Sequence, residues 1–95
     1  MSNLSVIVRV MPGGEELDVN LPRYSTGKQI TDELLKANVA PTTDPDGNPY
    51  VYDLVTKREN IRIETDKTLH DLGITDGETI LFIPQLVAGA IMQKN

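Results

Sequence analysis

Ninety-five residues make one domain with one core, and 9 Lys and Arg against 14 Asp and Glu leave a net charge of −5, which argues against nucleic acid or an anionic membrane surface as partner. The acids form no tail: residues 1–48 carry 4 positive and 7 negative side chains and residues 49–95 carry 5 and 7. The absence of cysteine excludes a disulfide framework, a thiolate metal centre and a Cys nucleophile, and it fits a reducing, cytoplasmic compartment.

The opening MSNLSVIVRV has the pattern of neither a signal peptide nor an anchor. The longest apolar stretch, Leu81 to Met92, is interrupted by Pro84 and Gln85 and falls short of the roughly 20 residues that span a bilayer, so no membrane insertion is expected.

Leu4, Val6, Val8 and Val10 alternate with Ser5, Ile7, Arg9 and Met11, the period of a strand with one buried face. Pro12, Gly13 and Gly14 break the run, and Leu17, Val19 and Leu21 resume it as far as Pro22, which predicts a hairpin. Thr26 and Gln29 have the spacing of a capping box, with Ile30, Leu34 and Ala37 on one apolar stripe behind it, so a helix starts here. Pro41 predicts its end near Asn38 to Ala40.

The segment PTTDPDGNP reads as a surface loop, followed by a strand over Tyr50 to Val55, a polar turn, and a short strand at Ile61 to Ile63. Thr68 and Asp71 repeat the capping spacing over one turn, Gly73 and Gly77 bracket Ile74, and Thr79 to Ile83 is a continuous apolar strand placed centrally in the sheet. This order predicts an α+β fold, a β-grasp roll in which one main helix packs across a mixed sheet of four to five strands. Residues 1–85 form the domain, and residues 86–95 are expected as a flexible apolar tail.

The run KTLHDLGITDGETILFI resembles the segment of ubiquitin-like proteins in which a short capped turn precedes the last strand. Thr68, Leu69, Asp71, Ile74, Leu81 and Ile83 stand at the matching positions, and Thr26, Ile30 and Leu34 fall where that family caps its helix and fills its core. The long loop before the third strand and the hairpin carrying Lys57 look more like bacterial members. Two kinds are similar: YukD-like proteins of type VII secretion loci, and ubiquitin-like partners of bacterial activating and conjugating enzymes. The resemblance implies a protein-binding module or a protein modifier with no chemistry of its own. Its partners would be activating or conjugating enzymes and a processing protease, or a secretion-system component.

Aligned on the last strand, Gly89 and Ala90 occupy the place of the terminal Gly-Gly of ubiquitin, which implies trimming after one of them and activation of the new carboxylate. A residue without a Cβ lets a backbone pass through a narrow enzyme channel. A second candidate is a surface. With Leu81 and Ile83 assigned to the core, Ile80, Phe82 and Pro84 point outward by strand alternation. With Tyr52 and Leu54 facing the helix, Val51 and Val55 join them in an apolar patch of the kind that marks an interaction site.

Nothing else in the chain points to chemistry. His70 is the only histidine and has no cysteine or second imidazole to share a metal. Asp44, Asp46 and Asn48 around Gly47 begin like a calcium loop, but the twelfth position is Val55, where that loop requires a bidentate Glu. No cofactor fingerprint, metal site or catalytic constellation is predicted.

Overall fold

The computed structural model describes residues 3–86. Strands β1 (Asn3–Val10) and β2 (Glu15–Pro22), helix α1 (Gly27–Lys36), and strands β3 (Tyr50–Thr56) and β4 (Thr79–Leu86) follow in chain order. They form one sheet with the order β2-β1-β4-β3. β1 pairs antiparallel with β2 and parallel with β4, and β3 closes the far side antiparallel to β4. The fold is the expected β-grasp roll with a four-stranded mixed sheet.

The period-two pattern of β1 has the assigned phase: Leu4, Val6, Val8 and Val10 are buried. Leu17 and Val19 of β2 pack against the same core, and Leu21 is buried in it. α1 covers this face. Thr26 accepts the N–H of Gln29 while the Gln29 side chain accepts the N–H of Thr26, which satisfies two donors that a helix start would otherwise leave orphaned. Ile30 and Leu34 then project into the core.

The helix stops earlier than Pro41 suggests. Asn38 takes a left-handed φ of 61°, its N–H bonds the carbonyl of Leu35, and the N–H of Val39 bonds the carbonyl of Leu34. That is a Schellman ending with Asn in the place usually held by Gly, and Val39 follows it back onto the core. Thus Ala37 is the cap residue.

The expected strand at Ile61 to Ile63 is reduced to an isolated bridge between Val55 and Arg62. Asn60 turns left-handed at φ 58°, and the Thr56 hydroxyl takes the N–H of Ile61, so pairing is limited to the neighbourhood of that turn. Thr68 and Asp71 make the predicted reciprocal cap, the N–H of Thr68 donating to Asp71 Oδ2 and the N–H of Asp71 to Thr68 Oγ1, both at 3.0 Å. It positions Leu69 and Ile74, which with Ile63 close the core between β3 and β4.

Gly27 at the start of α1 is required for a reason that no motif reveals. A Cβ there would collide with the carbonyl oxygen of Glu64, because the helix start is drawn against the 64–67 segment by hydrogen bonds from Gly27 N–H to Lys67 O and from Lys28 N–H to Thr65 O.

β4 is central, as predicted, but its phase is the reverse of the sequence assignment. Ile80 and Phe82 are both 0% exposed, whereas Leu81 and Ile83 are only partly buried. Ile80 lies between Val8 and Thr56, and Phe82 between Val10 and Leu54, all residues of the inner face. The ring of Tyr52 stacks on Phe82 with centroids 4.1 Å apart. The Tyr52 hydroxyl donates to the carbonyl of Pro41 at 2.7 Å, and burial, followed by the neighbouring Tyr50, holds its pKa above the ordinary tyrosine value.

Candidate interaction face of the sheet

The reversed phase moves the candidate surface one residue along β4. Ile80 and Phe82 are core residues and are removed from it, and Pro84, opposite Tyr52, shares their inward parity and is half-buried. The physical reason is volume: a fully buried aromatic ring removes more apolar area from water than any other side chain of this strand, so Phe82 belongs on the face that α1 covers. Val51 and Val55 stand on the outer face as assigned, Val51 52% exposed and Val55 half-buried.

Leu81 and Ile83 take the place of Ile80 and Phe82 on that face. Leu81 sits opposite Val55 on one side and Arg9 on the other. Ile83 is opposite Asp53, and Val51 is the diagonal neighbour of Ile83 because it faces Gln85. Ile7, opposite Thr79 on β1, is the diagonal neighbour of Leu81. Cross-strand and diagonal neighbours on one face lie within reach of each other, so Ile7, Leu81, Val55, Ile83 and Val51 form an apolar stripe across three strands.

Charged groups are interspersed with the stripe. Asp53 accepts from Arg62 at 3.3 Å and from Gln85 at 3.4 Å. On the β1 side Arg9 donates to one oxygen of Glu16 through both Nε and Nη2, at 2.9 and 2.6 Å. Partly exposed pairs of this kind contribute at most about 1 kcal/mol each; Asp53, between Val51 and Val55, and Arg9, opposite Leu81, set charge directly beside the aliphatic side chains. Aliphatic side chains contiguous across three strands, with charged groups among them, are the kind of surface that marks a protein-binding patch.

A signal for the correct phase exists in the sequence. Thr79 and Gln85 share the parity of Leu81 and Ile83, and polar residues at both ends of one parity mark the solvent side of a strand that is apolar throughout its middle.

Gly89 and Ala90 lie outside the described residues. β4 continues through Leu86, paired with Tyr50, one residue beyond the expected domain boundary. His70 is exposed and rests against Tyr24, with ring centroids 4.9 Å apart. Asp44 Oδ1 accepts the N–H groups of Asp46 and Asn48, each at 2.9 Å, so the loop with calcium-like spacing is built as an Asx turn. Among the described residues no helix is long and apolar enough to cross a membrane.

The ubiquitin-like domain of an Arabidopsis thaliana protein superimposes with a TM-score of 0.68 at 17% identity, over 93% of this chain and 83% of that one. Ubiquitin of Caldiarchaeum subterraneum gives 0.64 at 20% identity, over 93% and 100%. The C-terminal ubiquitin-like domain of human 2'-5'-oligoadenylate synthetase-like protein gives 0.65 at 15%, over 88% and 85%. These likenesses establish the ubiquitin-like fold. A search of the curated proteins finds no significant match. The sequence model described as "WXG100 protein secretion system (Wss), protein YukD" matches residues 5–81, most of the chain, and the chain therefore belongs to the YukD family.

Proposed function

We propose that this protein is a binding module of a WXG100-type secretion system, acting in the cytoplasm and engaging a protein component of that machinery through the outer face of its sheet. The observation that carries the reading is the apolar stripe of Leu81, Ile83, Val55 and Val51, with the Asp53–Arg62 and Arg9–Glu16 pairs beside it. Family membership supports the choice of machinery. Any chemistry belongs to the partners: the stripe is aliphatic, and the charged groups beside it, Asp53 with Arg62 and Arg9 with Glu16, are engaged with one another.

The test is a titration of the isotope-labelled chain with the cytosolic domains of the WXG100 secretion-system components of its host. Amide shifts gathered at Ile7, Val51, Val55, Leu81 and Ile83, and abolished by Ile83→Ser, support the reading. Shifts confined to α1, or binding unaffected by Ile83→Ser, contradict it.

The alternative is a protein modifier whose tail is trimmed after Gly89 or Ala90 and then activated by a partner enzyme. It is supported by the place of Gly89 in the sequence, and it is tested by the intact mass of the protein recovered from its host. Loss of the residues after Gly89 or Ala90, together with adducts that disappear in Gly89→Glu, establishes processing; an unchanged full-length mass rejects it.

A further inference from the structure

The two edges of the sheet are treated differently. On β3 the outer edge is occupied: Tyr50 N–H bonds Thr42 O, Ile63 N–H bonds Leu54 O, and Thr56 N–H bonds Ile61 O. On β2, among the described residues, no segment outside the sheet donates to or accepts from the backbone of residues 15–21. An edge strand turns the N–H and C=O of every second residue outward, which makes it a template for a further strand.

Beside this open edge lies a groove of about 680 Å³ between β2 and α1. Val19, Leu21, Ile30, Leu34 and Val39 contribute to its apolar lining, and among the described residues Glu33 is the one charged side chain that lines it. β2 itself reads EELDVNLP, three acids and no base; Glu16 is held by Arg9 and Asp18, opposite Ile7, lies on the outer face, while Glu15, which shares the inward parity, and Glu33 have no salt-bridge partner among the described residues.

We infer that β2 and this groove accept an extended, apolar, lysine- or arginine-flanked peptide segment of a partner protein as an added strand. The open ladder supplies backbone pairing, and the groove receives every second side chain of the incoming strand. The unpaired acids select a basic flank. This surface lies on the helix-covered side and edge of the sheet, so the inference stands independently of the sheet-face reading.

The experiment titrates the isotope-labelled chain with a synthetic peptide of alternating valine and threonine carrying a lysine pair at each end. Parallel titrations use the same peptide with glutamates for lysines and with its backbone nitrogens methylated. The inference expects shift changes at Leu17–Pro22, Glu33 and Ala37, slowed amide exchange along β2, and no binding of the methylated peptide. Glu33→Lys, an exposed change whose folding is read from the same spectrum, should weaken the lysine peptide by about fivefold and favour the glutamate one. Equal binding of both charge forms, shifts confined to Val51, Leu81 and Ile83, or shifts at β2 that grow with the concentration of the protein alone would each overturn it.

Discussion

Ile80 and Phe82 alternate with Leu81 and Ile83 in one strand, and side chains of similar chemistry serve opposite ends. The first pair is sealed beneath α1 against Val8, Val10, Leu54 and Tyr52; the second lies on the face opposite the helix, beside Val55, Asp53 and Arg9. A central strand that is apolar on both sides stabilises the fold with one face and leaves the other for the partner proposed above. Hydrophobicity alone does not say which face does which. Its neighbours decide.

The comparison breaks most visibly at Phe82. Phe82→Ala removes a fully buried ring and should cost about 3–5 kcal/mol of stability, read from chemical denaturation, and Phe82→Asp should fail to fold. Next in size is Gly27→Ala, where the new methyl meets the Glu64 carbonyl. We expect a loss of about 1–3 kcal/mol, accompanied by faster amide exchange at Gly27 and Lys28, whose N–H groups bond the 64–67 segment.

On the other face, Ile83→Ser should lower stability by about 1 kcal/mol or less while abolishing partner binding in the titration described above. That dissociation of binding from stability is what separates the two faces of β4.

The smallest effect concerns the cap that precedes β4. The Asp71 carboxylate accepts the N–H of Thr68, and this bond, with the help of the Thr68 hydroxyl, holds its pKa below the ordinary 3.8. The folded form thus binds its proton less readily than the unfolded chain, so the contribution is present above pH 3.8 and disappears as pH falls through the depressed folded value. The gap in Tm between the native chain and Asp71→Asn should therefore narrow on acidification; a gap that widens contradicts the assignment.

Much of this architecture was legible in the residues. β1 alternates save at Ile7, α1 has a capping box, and the Thr68–Asp71 turn repeats its logic, so local rules suffice for them. The end of α1 was misplaced because Asn38, not Pro41, supplies the left-handed stop. Gly27 was invisible because its constraint comes from a carbonyl 37 positions away in sequence. The phase of β4 failed for a related reason. A run of four apolar residues has no period of its own, and its register follows from β1 and β3 on either side, although the parity of Thr79 and Gln85 carried a hint. Val51 and Val55 were placed correctly because Tyr52, Asp53 and Leu54 give β3 the contrast that β4 lacks.

The most direct test of the account is the unfolding free energy of Phe82→Ala set beside that of Ile83→Ser under one denaturant protocol. Removal of the ring should cost at least about 2 kcal/mol more than the outer substitution, with both proteins unfolding in a single transition. Equal losses, or a greater loss at Ile83, would mean that the face assigned to partners is the one that holds the fold together.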